Sequence, residues 1–146
     1  MTGGTGNLGD VFRAHEAGDR LAVIDLHDPE NSKKISFRAL GAACDAAARG
    51  LRRAGLEPGA RIAILALNRV EFLEVLFGAM RAGCVPVMIN AKLPAAQVQY
   101  IIKDSGAVIV FADGEFRRLC APGTRIVEFG PAGGGEYADF KDPGPF

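Results

Sequence analysis

Residues 4–9 of this chain, GTGNLG, match GxGxxG, a spacing whose glycines let backbone amides approach a phosphate. That chemistry needs a strand directly before the first glycine, so that the pyrophosphate meets the N-terminus of the next helix. Only Met1, Thr2 and Gly3 precede it. The motif is therefore read as a flexible leader. Gly133, Gly134 and Gly135 read as linker, because no Gly-Lys-Ser/Thr follows them. His15 and His27 are the only histidines, and neither is spaced from a Ser, Cys or carboxylate in a way that marks a base, so both are expected at the surface. Asp25 and Asp28 could pair on magnesium, but they lie beside Pro29 in a turn-forming run, which favours a structural role. Cys44, Cys84 and Cys120 are odd in number, widely spaced and without CxxC, which argues against structural zinc and a disulfide framework. Cys44 and Cys84 read as small core residues, and a reducing cytoplasm suits all three thiols, so the expected location is cytoplasmic. No catalytic constellation or metal site is read from these residues.

Polar residues in a second pattern are better placed. Residues 61–93 hold two short apolar runs flanking one amphipathic helix, and each run is closed by an asparagine, Asn68 and Asn90. Continuous apolar runs are the mark of parallel strands buried on both faces. Groups at the carboxyl ends of such strands face the crevice where α/β proteins bind ligands, and Asp113 closes a third run in the same way.

The elements that position these residues can be read in order. Residues 1–18 form a leader with a short helical stretch around residues 8–17. LAVIDL at 21–26 and KISF at 34–37 make a hairpin around a turn of Asp, Pro, Asn and Ser. Ser36 caps a helix over 37–54 with Phe37, Leu40, Cys44, Ala47, Ala48 and Leu51 on its apolar stripe, and Gly55 closes it. Arg49, Arg52 and Arg53 fall off that stripe and read as a solvated face. Strands are expected at 61–67, 85–90, 107–112 and 125–129, with helices at 69–82 and 94–104. Asn68 is expected to cap the helix at 69–82. Val70, Leu73, Leu76, Phe77 and Met80 should line that helix, and Phe72 widens its arc so that more than one side needs cover. Pro86 must sit where no ladder bond is needed, and Pro94 opens the next helix. Alternating strand and helix predicts an α/β fold: three layers, a mostly parallel sheet with right-handed βαβ crossovers, and an N-terminal β-hairpin. The α/β unit spans 19–130, and 131–146 reads as a linker-like tail.

Seventeen basic and seventeen acidic residues cancel, which removes the electrostatic case for nucleic acid as a partner. The N-terminus lacks the charged and apolar regions of a signal peptide, and no run reaches the length of a membrane span.

The order of features from residue 8 to 113 resembles the N-terminal part of the adenylate-forming ligases, above all the acyl-CoA synthetases. That family's opening Thr/Ser-aromatic-x-x-Leu is matched by Ser36, Phe37 and Leu40, and its Leu-x-x-x-Gly helix end by Leu51 and Gly55. Its Pro-Gly-Asp-Arg-Val is matched by Pro58, Gly59, Ala60, Arg61 and Ile62, with Ala60 departing from the customary Asp. The helix-opening Asn is Asn68, the Ala-Gly before the next strand is Ala82 and Gly83, and Pro86, Asn90 and the Asp-Ser-Gly-Ala at 104–107 follow in place. Ala91 departs where the family often has Pro or Tyr.

The resemblance implies the N-terminal subdomain of the adenylate-forming fold. It implies an AMP-forming acid–thiol ligase that uses ATP, magnesium and CoA: a carboxylate and ATP give acyl-AMP, and CoA thiol then displaces AMP. The family's Ser/Thr/Gly-rich phosphate loop ending in Pro-Lys-Gly, its aromatic-Thr-Glu segment, its ribose-binding Asp and its C-terminal lysine do not occur between residues 1 and 146. The chain is therefore expected to be a fragment that is inactive alone, holds no cofactor, and has as partner the missing C-terminal portion of its own polypeptide. An apolar face bared on the helix at 69–82 predicts a homodimer of the fragment. In some CoA ligases a basic residue two positions after the second Asn contacts the phosphorylated nucleotide end of CoA, and Lys92 holds that position; an exposed lysine opening a helix is the competing reading. A freestanding flavodoxin- or receiver-type module is the alternative. It fits less well, because a receiver needs clustered acids at its first strand end, where this chain has asparagine.

Overall fold

The computed structural model describes residues 6–131, 134–142 and 144. A four-stranded parallel sheet of order β4-β3-β5-β6 forms the centre, built from β3 (Arg61–Leu65), β4 (Val85–Met88), β5 (Ile109–Asp113) and β6 (Ile126–Phe129). β3 and β5 are the inner strands, and Ile62, Ala63, Ile64, Leu65, Ile109, Val110, Phe111 and Ala112 are all buried, as their unbroken apolar runs require. β4 is an edge. Val85 and Ile89 donate their amides inward to Ala60 and Ile64, so Pro86 lies on the outward phase of the strand and its missing N–H breaks no ladder bond.

Alternation along β3 sorts its side chains into two layers. Ile62 and Ile64 pack with α1 (Phe37–Arg53) and α2 (Val70–Arg81), while Ala63 and Leu65 pack with α3 (Ala95–Ser105) and the 3-10 segment Gly114–Leu119. The path leaves β3 for β4 with α2 on one face, then returns past β3 to β5 with α3 on the other. Direction and face reverse together, so the two crossovers share one hand, as right-handed connections demand. A separate two-stranded antiparallel hairpin, β1 (Leu21–Asp25) and β2 (Lys33–Ser36), turns through a 3-10 segment at Pro29–Asn31. Asp28 caps that turn, while Asp25 accepts from the His27 amide in the hairpin loop and from the Val70 amide of α2, so the two acids hold separate structural posts.

α1 begins as expected, with the Ser36 hydroxyl accepting from the Ala39 amide at 3.2 Å, and Gly55 follows it at φ 81°. α1 and α2 cross closely because small residues face each other. A Cβ on Gly78 would lie 2.7 Å from the Cys44 carbonyl oxygen and 2.8 Å from the Ala47 Cβ. α2 serves two cores, as its wide apolar arc predicts: Val75 and Ala79 face the sheet, and Val70, Leu73 and Phe77 pack with Phe12, Leu40 and Cys44 under the hairpin. All three thiols are buried, and burial pushes the Cys44 thiol up to about 12.

Several expectations need correction. The residues of α2 that are fully buried include Glu71, Glu74 and Arg81, while Phe72, Leu73, Leu76, Phe77 and Met80 are only half-buried. α2 therefore presents half-buried apolar residues rather than a fully bare face. The large apolar side chains left exposed are elsewhere, among them Leu21, Ile24 and Leu26 on and beside β1 and Val85 and Met88 on β4. Asn68 does not cap α2. The cap position is Arg69, and the Val70 amide donates to Asp25 of the hairpin instead, at 3.2 Å. Pro94 sits at the cap of α3 rather than within its first turn.

The leader is docked where it is described. The Asn7 side-chain Nδ2 donates to the Met80 carbonyl at 2.7 Å, and Arg81 Nε donates to the Gly9 carbonyl at 2.8 Å. Its expected helix is two 3-10 turns, Leu8–Asp10 and Arg13–His15, and Gly4 and Thr5 of the glycine motif lie outside the described residues. Arg81 is almost wholly buried and also bonds Gly41, Asp45 and Glu16, which pins the leader to both helices.

The tail departs most from its linker-like reading. A short helix, α4 (Glu136–Phe140), places Tyr137 in the core at 0% exposure, edge-on to Phe111 and Phe129. The arginines read as a solvated face hold its end: Arg53 donates to the carbonyls of Asp139 and Phe140, and Arg49 to that of Asp142 at 2.8 Å. Cations over the last carbonyls of a helix satisfy groups that the helix itself leaves open.

Candidate functional site

The carboxyl ends of β3, β5 and β6 converge on Arg69, a residue the strand-end reading did not single out. Its guanidinium donates from Nε to Glu71 at 2.8 Å, from one terminal nitrogen to Asp113 at 2.6 Å and from the other to the Gly130 carbonyl at 2.8 Å, over the Phe129 ring at 5.1 Å. Asp113 spends its second oxygen on the Leu67 amide, at 2.7 Å. Arg69, Glu71 and Asp113 are each buried, so every charge is met where water is excluded. Burial alone would raise the Glu71 carboxyl, but the Arg69 hydrogen bond, a backbone amide and the Arg69 charge outweigh it and hold it below 4.5.

This network stands at the topological switch point, where the chain leaves β3 toward β4 and β5 toward β6. The guanidinium fills the crevice between the strand ends. Glu71 and Asp113 are neutralised acceptors there, and neither is aimed at a nucleophile. Two open clefts flank the plug. One of about 590 Å3 runs between β1 and the start of α2, lined by Ile24, Leu26, Asn68, Phe72 and Leu73, and one of about 530 Å3 lies over β5 and β6 beside Asp113, Glu115 and Glu128. His15 and His27 are exposed, as expected. Among the described residues no group of three or more His, Cys, Asp or Glu is placed to hold a metal ion.

The sequence-predicted candidate, Lys92, lies apart from this network. It follows β4 on the edge of the sheet, in a turn closed by the Leu93 amide donating to the Asn90 carbonyl at 3.1 Å. The Asn90 side chain accepts from the Lys92 amide at 2.9 Å. Ala91 and Leu93 pack into the α3-side core while Lys92 is exposed, so the ammonium is presented from an anchored turn. Of the three strand-end residues, Asp113 joins the plug, Asn68 opens on the β1–α2 cleft, and Asn90 shapes the Lys92 turn.

The model of the AMP-binding enzyme family matches residues 12–132, most of the chain and all four sheet strands. The chain belongs to the AMP-binding enzyme family. Among curated proteins, this AMP-binding enzyme chain is 38% identical over 103 residues to a 4-hydroxybenzoate–CoA/benzoate–CoA ligase of Rhodopseudomonas palustris, covering 70% of the chain and 18% of that ligase. Among solved structures it superposes on a benzoate CoA ligase of Burkholderia xenovorans LB400 with a TM-score of 0.77 at 25% identity, covering 92% of the chain and 28% of that protein. It also superposes on the N-terminal domain of FACL13 of Mycobacterium tuberculosis with a TM-score of 0.76 at 26% identity, covering 85% and 34%. The fold is that of the N-terminal part of the adenylate-forming ligases. The chain spans about a fifth of the length of the first curated relative, as the 18% coverage states. No described helix is long and apolar enough to cross a membrane.

Proposed function

We propose that this chain supplies the N-terminal α/β part of an AMP-forming acid–thiol ligase. In the whole enzyme a carboxylate attacks the α-phosphate of ATP, releasing pyrophosphate and giving acyl-AMP, and the CoA thiol then displaces AMP to form the thioester. The observation that carries this reading is the continuous family match over residues 12–132. The chain's own residues supply the scaffold: the Arg69 plug fixes the strand ends, and the Asp25 carboxylate ties the hairpin to the start of α2. Stabilisation of phosphoryl charge needs positioned cations and phosphate-cradling amides, and these belong to the remainder of the ligase, as do the ligands of magnesium. The isolated chain is therefore inactive, and its main partner is the rest of its own polypeptide. We place it in the cytoplasm, where its three thiols stay reduced.

Lys92 is assigned to the phosphorylated nucleotide end of CoA. An ammonium serves there as a point charge, and the turn holds it clear of the sheet edge. In the full-length ligase, Lys92→Ala raises KM for CoA about tenfold, equivalent to about 1.4 kcal/mol, and leaves acyl-AMP formation unchanged. KM for dephospho-CoA, which lacks the 3′-phosphate, stays at the parent value. Equal effects on both thiols would remove Lys92 from the CoA site.

The isolated chain also self-associates. The basis is the exposed apolar set Leu21, Ile24, Leu26, Val85 and Met88 rather than α2. Light scattering over a concentration series should show mass rising toward a homodimer, and a strict monomer at high micromolar concentration would contradict this.

A further inference from the structure

We infer that Asn90 is a positioning residue for CoA recognition, an inference that rests on the assignment of Lys92 to the CoA phosphate. A lysine side chain carries several rotatable bonds, so a loop that wandered would spread its ammonium over a wide volume and cost binding entropy. Here the loop is anchored on both sides. Ile89 is buried at the end of β4, Ala91 and Leu93 are packed into the core on either side of Lys92, and Pro94 fixes the entry to α3.

One peptide group between these anchors decides where Lys92 leaves the backbone, and Asn90 holds it. The Asn90 Oδ1 accepts from the Lys92 amide at 2.9 Å while the Asn90 carbonyl accepts from the Leu93 amide at 3.1 Å. The side chain of Asn90 thereby does the work of a backbone turn, a local bond that Asn and Asp form and alanine cannot. Asn90 is itself exposed at a strand end, so losing its side chain opens no core cavity. Its effect should fall on the direction of Lys92 and not on folding.

The test compares Asn90→Ala, Asn90→Asp and Lys92→Ala. In the 146-residue chain, Asn90→Ala speeds hydrogen exchange at the Lys92 amide severalfold, and Asn90→Asp, which keeps the acceptor, restores protection. In the full-length ligase, Asn90→Ala raises KM for CoA about three- to tenfold, with the rate of acyl-AMP formation and KM for dephospho-CoA unchanged. If Lys92→Ala raises KM for CoA and Asn90→Ala does not, the positioning role is wrong while the CoA site stands. If Lys92→Ala itself leaves KM for CoA unchanged, the CoA assignment fails and the positioning role falls with it. If Asn90→Asp fails to restore protection of the Lys92 amide, the hydrogen bond is not the cause.

Discussion

Tyr137→Ala should destabilise the domain by about 3–5 kcal/mol, the usual cost of removing a fully buried aromatic side chain. Tyr137 has 0% exposure and stands edge-on to Phe129 at 5.0 Å and Phe111 at 6.0 Å, over the sheet face that α1 and α2 leave uncovered. Its hydroxyl donates to Glu74 at 3.1 Å, and Lys141 donates to the same carboxylate oxygen at 3.1 Å. Burial first, and the Glu74 charge second, push the phenol well above 10 and keep it a donor. Tyr137→Phe keeps the rings and leaves Lys141 on Glu74, so it should cost only about 1 kcal/mol. Urea denaturation of the three chains checks both values. A Tyr137→Ala loss below about 0.5 kcal/mol, the range of ordinary surface changes, would return residues 131–146 to the status of a linker.

Arg69→Met should cost about 3–5 kcal/mol, because it strands Glu71 and Asp113 as buried, uncompensated carboxylates and leaves the Gly130 carbonyl without its donor. The pH dependence carries the sign of the cause. Glu71 is held below 4.5 in the folded chain, so its contribution is complete above the unfolded value and is lost as pH falls through the folded one. The gap between parent and Arg69→Met should therefore be widest near neutrality and shrink on acidification below about pH 4.5. A gap that stays constant from pH 7 to pH 3 would contradict an ionised Glu71–Arg69 pair.

The two substitutions also mark where the sequence stopped being readable. The inner strands were legible because residues buried on both faces must be apolar, and 62–65 and 109–112 are. Helix ends at Ser36 and Gly55 were legible because each signal acts within a turn of its residue. Arg69 was not, because two of its three partners lie at Asp113 and Gly130, separated by 44 and 61 positions, and no local pattern distinguishes a buried arginine from a solvated one. The buried charges of α2 were hidden for the same reason, since Glu74 meets Tyr137 and Lys141 of the tail and Arg81 meets the leader and α1. Asn68 was a sound cap candidate that lost to Asp25, a carboxylate delivered by the hairpin. The tail was lost to its glycines, whose abundance hid a single turn of helix that needs only Tyr137 and Phe140 to reach the core. Of the strand-end residues, Asn90 and Asp113 were found by position, but what each does became visible only with its partner.

The central claim, that this chain is scaffold for adenylation and carries none of its chemistry, meets its most direct test in carboxylate-dependent pyrophosphate release. The purified 146-residue chain should release no pyrophosphate from ATP and magnesium above a no-protein control, with benzoate, 4-hydroxybenzoate or a fatty acid as the carboxylate. Release that depends on both the carboxylate and the folded chain would contradict it.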